Sequence, residues 1–202
     1  MLEATDITAR RGRAALFTRL RLRVDSGRAL LVTGRNGSGK TTLLRVLAGL
    51  TRPDEGRVTI DGQPVHAALA QVAFMGHAAA LKDELTVEEN LRALVELAGE
   101  SSTPQRLSDA LATVDLSRQR ALPARALSAG QRRRVGLARL AMLPRTLWLL
   151  DEPATALDTS GVQLLADLVA QRLRAGGIVV AATHQPLDLL ADRTDTLAMA
   201  AQ

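Results

Sequence analysis

At 202 residues, with 47% hydrophobic and 23% charged content, the chain has enough apolar material for one packed domain with an appended subdomain, and its composition is not that of a disordered segment. No apolar run reaches the roughly 18 residues that span a bilayer, the first residues lack a charged-then-apolar leader pattern, and the absence of cysteine excludes disulfides and thiolate metal sites, as suits a reducing compartment. The net charge of +5 is spread along the chain as arginine, and two Phe, one Trp and no Tyr leave little surface for stacking bases, which argues against sequence-independent single-strand binding.

Residues 2 to about 24 read as β-rich, because Ile7-Thr8 and then Leu20-Arg21-Leu22-Arg23-Val24 alternate as a half-buried antiparallel strand does. Asp25-Ser26-Gly27 turns the chain into the apolar run Ala29-Leu30-Leu31-Val32. The next stretch, Gly34-Arg35-Asn36-Gly37-Ser38-Gly39-Lys40-Thr41, has the spacing G-x-x-x-x-G-K-[ST] of the Walker A loop, and Thr42 opens a helical pattern behind it. Strand, glycine-rich loop and helix are the context the motif requires. The glycines let successive N–H groups face inward, the helix adds its positive end, and an anion cradle results. Lys40 would then reach the β- and γ-phosphates of a nucleotide, and the Thr41 hydroxyl would ligate Mg²⁺. A plain strand-to-helix turn is the alternative, but Lys40 and Lys82 are the only lysines among 26 basic residues, and one stands where the motif needs it.

The helix is expected to end near Gly49, before the turn Pro53-Asp54-Glu55-Gly56, the strand Arg57-Val58-Thr59-Ile60, the turn Asp61-Gly62 and a short buried strand over 71–75. From Thr86 to Leu143 the period becomes helical. Thr86-Val87-Glu88-Glu89 has capping-box spacing, Ser101-Ser102-Thr103-Pro104 breaks the first helix, and Leu107, Leu111 and Val114 mark another. Alternation then resumes with Thr146-Leu147-Trp148-Leu149-Leu150, a helix over about 158–173, the strand Ile178-Val179-Val180-Ala181-Ala182 and a short terminal helix. The pattern predicts an α/β fold with a mostly parallel sheet covered on both faces, an antiparallel β subdomain and an inserted helical subdomain. The whole chain, 1–202, is one domain in this reading, with 1–85 and 144–202 as core and 86–143 as the helical insert. Asp151 and Glu152 end a buried strand, where α/β folds place ligands. Asp151 would hold Mg²⁺, and Glu152, directed elsewhere by strand alternation, would polarise a water for attack on the γ-phosphate.

Leu127-Ser128-Ala129-Gly130-Gln131 has the Ser-x-x-Gln spacing of a capping box, and it also resembles the LSGGQ signature of the ATP-binding-cassette (ABC) ATPases, with Ala129 at the first glycine position. With Walker A upstream and Asp151-Glu152 downstream, the resemblance spans nearly the whole chain and implies a P-loop NTPase of ABC type using ATP and Mg²⁺. It implies that residues 34–42, Gly34 to Thr42, bind ATP in cis, with Lys40, Glu152 and His184 as catalytic residues. Ser128, Ala129, Gly130 and Gln131 would bind the γ-phosphate held by a second copy. Thr155-Ala156-Leu157-Asp158 looks like the D-loop, and His184, after the strand ending at Thr183, like the switch histidine. His77 stands where most members carry the Q-loop glutamine, so with Thr41 and Asp151 it joins the implied Mg²⁺ contacts, through water. No aromatic is available near Arg10-Arg11 for stacking on adenine, and Arg11 could stack its guanidinium instead; solvated arginine is an equal reading. Arg132-Arg133-Arg134 reads as one helix surface, not a nucleic-acid patch.

Gly76-His77, Leu81-Lys82, Leu127 to Arg132, Trp148, Gly176-Gly177-Ile178-Val179 and Thr183-His184-Gln185-Pro186-Leu187 together resemble the CcmA family, the haem-exporter ATP-binding subunits of cytochrome c maturation. The resemblance implies ATP hydrolysis coupled to haem handling, at the cytoplasmic face of the bacterial inner membrane, by a peripheral subunit. Its partners would be an integral membrane subunit of the CcmB type, room being left for a further membrane subunit, and a second copy of the chain in an ATP sandwich dimer; nucleic acid is not among them. A cassette serving another permease would share every catalytic residue, and a soluble cassette acting on nucleic acid or ribosomes is the remaining alternative.

Overall fold

The computed structural model describes residues 1–12, 14–184 and 190–199. The chain divides into two compact units, Met1–Phe74 with Arg145–Pro153 and Val169–Gln202, and Met75–Pro144 with Ala154–Leu168.

The first unit begins with two long antiparallel strands, β1 (Leu2–Arg11) and β2 (Ala14–Val24), whose register shifts through bulges. Strand β3 (Ala29–Thr33) leads through the glycine loop into α1 (Lys40–Leu47). Helix α1 ends as a Schellman cap: the Leu50 N–H reaches the Arg45 carbonyl at 2.9 Å and the Gly49 N–H that of Val46 at 3.0 Å. Strand β4 (Glu55–Ile60) pairs with β1 and, across the Asp61-Gly62 turn, with β5 (Gln63–Pro64), giving the antiparallel order β2-β1-β4-β5. Strand β6 (Val72–Met75) closes this part of the chain.

The second unit is helical. Helix α2 (Val87–Leu97) carries the predicted capping box, with the Thr86 hydroxyl accepting from Glu89 N–H and the Glu89 carboxylate from Thr86 N–H. Helix α3 (Pro104–Thr113) starts at Thr103 with Pro104 in its first turn, and α4 (Ala129–Met142) starts at a second capping box, Ser128 with Gln131. Val87, Leu91, Val95, Leu107, Leu111, Val135, Leu137 and Leu140 are fully buried and form the apolar interior of this bundle.

Back in the first unit, β7 (Leu147–Asp151) is buried at every position, as a strand covered on both faces must be. Helix α5 (Thr159–Arg174) has residues 159–168 in the second unit and the rest in the first, where the equally buried β8 (Ile178–Ala182) follows. The short terminal helix expected after β8 bears on a stretch that is only partly described, and β9 is an element the sequence reading did not include. Residues 185–189 lie outside the described residues, and beyond them the chain forms a single 3₁₀ turn at Ala191–Arg193 and then β9 (Thr194–Ala198). Strand β9 pairs in parallel with β3, and Arg28 forks onto Asp195 at 3.0 and 3.1 Å, fixing the two edges together. The second sheet therefore has the order β6-β7-β8-β3-β9, with β7–β8, β8–β3 and β3–β9 parallel.

Candidate active site

The glycine loop leaves the carboxyl end of β3, and α1 begins at Gly39 with no side-chain cap and no acidic residue in its first turn. Its opening N–H groups are thus left for an outside acceptor, and the helix end favours an anion. Gly34 (φ 146°) admits no side chain, since a β-carbon there would lie 2.6 Å from the Met199 carbonyl oxygen and 2.8 Å from Ser38 Oγ. Ser38 Oγ itself is buried without a hydrogen-bond partner among the described residues. The Lys40 ammonium, 7% exposed, curls back to donate to the carbonyls of Gly34 at 2.7 Å and Arg35 at 3.2 Å. Arg35, Asn36 and Gly37 are exposed along the rim, and Thr42 is half-buried in the first turn of α1. Bare amides, an orphan hydroxyl and a nearly buried ammonium fit a polyphosphate.

Two carboxylates at the end of β7 face this loop. The Thr41 hydroxyl donates to Asp151, 3.1 Å from Oδ1 and 3.0 Å from Oδ2, and Asp151 is only 4% exposed. A hydroxyl beside a carboxylate supplies the hard oxygen donors Mg²⁺ takes alongside phosphate and water. Among the described residues no group of three or more His, Asp or Glu forms a metal site by itself. Glu152 lies beyond the strand with φ 49°, while its N–H still pairs with the Ala182 carbonyl at 2.9 Å. That backbone turn into the left-handed region, and not strand alternation, redirects its side chain relative to Asp151. Glu152 Oε1 stands 3.9 Å from Lys40 Nζ, and Oε2 stands 2.8 Å from His184 Nδ1. Lys40, Thr41, Asp151, Glu152 and His184 therefore converge within one unit. Arg11, in the same unit, is exposed at the end of β1 opposite Ala14.

The remaining candidates belong to the second unit. Ser128 is exposed at the tip of α4; its Oγ accepts from Gln131 N–H at 3.2 Å, and Gln131 Oε1 accepts from Ser128 N–H at 3.0 Å. Ala129 is exposed beside it. Gly130 is required by close approach, because a β-carbon there would lie 2.7 Å from the Ala156 carbonyl oxygen. Asp158 caps α5, accepting from Gly161 N–H at 2.9 Å and from Arg134 at 2.8 Å. The Arg134 guanidinium, with the Gly161 amide second, holds the Asp158 carboxyl below the usual carboxylate range. His77 is exposed, and its carbonyl and that of Gly76 accept from Arg133.

The reading of Arg132-Arg133-Arg134 as one surface needs correcting. Arg133 is 4% exposed, because helical rotation turns it onto the buried face with Leu137 and Leu140, four and seven positions on. Sequence reasoning also passed over Asn90, which is 2% exposed and ties the stretch before α2 together. Its Oδ1 accepts from Lys82 N–H at 2.7 Å and its amide nitrogen reaches the carbonyls of Lys82, Leu85 and Thr86 at 2.9–3.1 Å.

The family profile described as ABC transporter matches residues 17–155. A cytochrome c biogenesis ATP-binding export protein CcmA from Agrobacterium fabrum is 45% identical, over 93% of this chain and 91% of its own length. A protein of the same name from Pseudomonas aeruginosa is 44% identical, over 96% and 98%. Among solved structures, the dimeric, post-hydrolysis state of the ATP-binding cassette MJ0796 bound to ADP and Pi superposes with a TM-score of 0.79 at 26% identity, over 92% of this chain and 88% of that one.

Proposed function

The chain belongs to the ABC transporter family and, within it, to the CcmA proteins of cytochrome c biogenesis, and from that premise we propose that its ATPase activity drives haem handling for c-type cytochromes. It is a nucleotide-binding ATPase of an ABC exporter. The observation that carries the mechanistic reading is the convergence of Lys40, Thr41, Asp151, Glu152 and His184 on one uncapped glycine loop.

The loop amides and Lys40 bind the β- and γ-phosphates of ATP, and the orphan Ser38 hydroxyl fits the same anionic neighbour. Thr41 and Asp151 would hold Mg²⁺, with His77 as a contact through water, and the ion would supply neutralisation of developing phosphate charge. The Glu152 carboxylate accepts the proton of the attacking water as the bond from the γ-phosphorus to the β–γ bridging oxygen breaks. His184 fixes the orientation of that carboxylate through Oε2, leaving Oε1 turned toward the lysine side. Arg11 stacks on adenine. Ser128, Ala129, Gly130 and Gln131, at a helix tip suited to an anion, bind the γ-phosphate held by a second copy, and Asp158 shapes the adjoining D-loop.

Among the described residues no helix is long and apolar enough to cross a membrane. The proposed seat is peripheral, on the cytoplasmic face of the bacterial inner membrane, against an integral CcmB-type permease. The test has two arms. The E152Q chain should dimerise in ATP during gel filtration and the E152Q/S128R chain should not, while ATP still binds both; dimerisation unaffected by S128R would sink the trans role of Ser128. Affinity purification from membranes should recover a permease, and ATP turnover should rise in its presence; a partner unrelated to cytochrome c maturation would redirect the substrate assignment.

A further inference from the structure

Each of the three consecutive arginines of α4 makes a different attachment inside the second unit. Arg132 pairs with the Asp83 carboxylate. Arg133 donates to the Gly76 carbonyl at 2.7 Å and the His77 carbonyl at 3.3 Å. Arg134 donates to the Val114 carbonyl at 3.2 Å, Asp158 Oδ1 at 2.8 Å and Ser160 Oγ at 2.7 Å. The stretch from Gly76 to Asp83 is thereby fastened at both ends to the helix that begins at Ser128. Backbone bonds add to this tie: Arg125 N–H reaches the Asp83 carbonyl at 3.1 Å and Ala124 N–H that of Leu85 at 2.9 Å, and residues 124–127 run directly into Ser128.

These attachments differ in strength. Arg132 and Asp83 are 30% and 54% exposed, so water competes for both charges. Arg133 is nearly buried, where a charged donor aimed at carbonyls is not replaceable by solvent. One terminal nitrogen, Nη1, reaches the carbonyls of both successive residues, held there by the rigid guanidinium plane, which the flexible stem of lysine reproduces less well.

We propose that Arg133 is a positioning residue for hydrolysis: its hold on the Gly76 and His77 carbonyls makes the 76–83 loop and the Ser128 helix move as one body. Its bonds to this loop go to backbone carbonyls, so the action argued for it runs through the loop. A displacement of the loop, by nucleotide at His77 or by a docked membrane partner, is then delivered to the serine instead of being absorbed by a slack loop. This inference rests on the ATPase reading above.

The test compares R133K and R133M with the parent in the full-length chain. Loop exchange at residues 76–83, measured by hydrogen–deuterium exchange, should rise in R133K and more in R133M. ATP turnover should fall about tenfold in R133M and several-fold in R133K, while the Kd for MgATP stays within about twofold, because only the placement of a remote group has loosened. Turnover within about twofold of the parent in folded R133K and R133M overturns the inference, and so does an equal loss of ATP affinity and turnover. Unchanged loop exchange in the variants overturns it as well. If R133M does not fold, R133K decides alone by the same criteria. An inactive parent would instead strike at the proposed function, so the two failures are distinguishable.

Discussion

The imidazole Nδ1 of His184 stands 2.8 Å from Glu152 Oε2, and the His184 backbone N–H approaches the same oxygen at 3.4 Å. Two donors on one residue thus fix one oxygen of a carboxylate that is itself 16% exposed. Glu152→Gln preserves the shape and removes the proton acceptor, so turnover should drop by about 10²–10⁴ with ATP still bound. His184→Ala removes only the orientation and should cost less, roughly tenfold to hundredfold. Phosphate release and retained radiolabelled ATP measure both; near-parental hydrolysis by E152Q would refute the assignment.

Gly130→Ala tests the close approach at the signature. The new β-carbon would lie 2.7 Å from the Ala156 carbonyl oxygen, inside van der Waals contact, so residues 155–158 must shift. ATP affinity of the single chain should be unchanged and turnover should fall by about tenfold or more. Ala126→Gly, at an exposed position outside the phosphate-binding set, should leave turnover within about twofold. Equal behaviour of the two variants would show that the crowding at Ala156 is relaxed at no functional cost.

Much of this arrangement could be read from the chain in advance, and the exceptions have physical causes. The uniformly apolar Ile178-Val179-Val180-Ala181-Ala182 and the paired capping boxes at Thr86 and Ser128 are local signals, each contained within a few residues. Strand β9 is not local: Thr194, Asp195 and Thr196 are polar, two of them exposed, and only pairing with a strand more than 160 residues earlier makes them a strand. The redirection of Glu152 depends on a left-handed backbone at a non-glycine residue, which no pattern in the sequence marks. Arg133 is different, because its spacing from Leu137 and Leu140 placed it on the apolar face of α4; three adjacent charges obscured that period.

Asn90→Ala should destabilise the second unit without touching any phosphate-facing residue. Lys82 N–H would lose its acceptor and the carbonyls of Lys82, Leu85 and Thr86 a shared donor, at a cost of about 1–3 kcal/mol. Urea unfolding of the isolated chain measures this. A midpoint equal to the parent's would mean that water replaces all four bonds.

Glu88 gives a prediction in pH. The Arg120 guanidinium, bonded to its carboxylate, and then Arg92 hold its pKa below the ordinary 4.5. A depressed folded pKa contributes stability that is complete above the unfolded value and disappears as pH falls through the folded one. The parent should therefore exceed Glu88→Gln in melting temperature by about 2–4 °C at neutral pH, and the gap should hold above the unfolded carboxylate value and close as pH falls through the lower folded one. A gap that persists in acid would mean that shape, not charge, is what Glu88 contributes.

The Met199 N–H bonds to the Thr33 carbonyl at 2.8 Å, and its own carbonyl oxygen sits where a Gly34 side chain would begin. The floor beneath the triphosphate cup is thus laid last, by residues far from every recognised motif. A protease nick or premature stop before β9 would leave all of those motifs intact and still strip the cup of its backing. Such a clipped chain should be judged by its grip on nucleotide, since an inventory of surviving motifs would score it as sound.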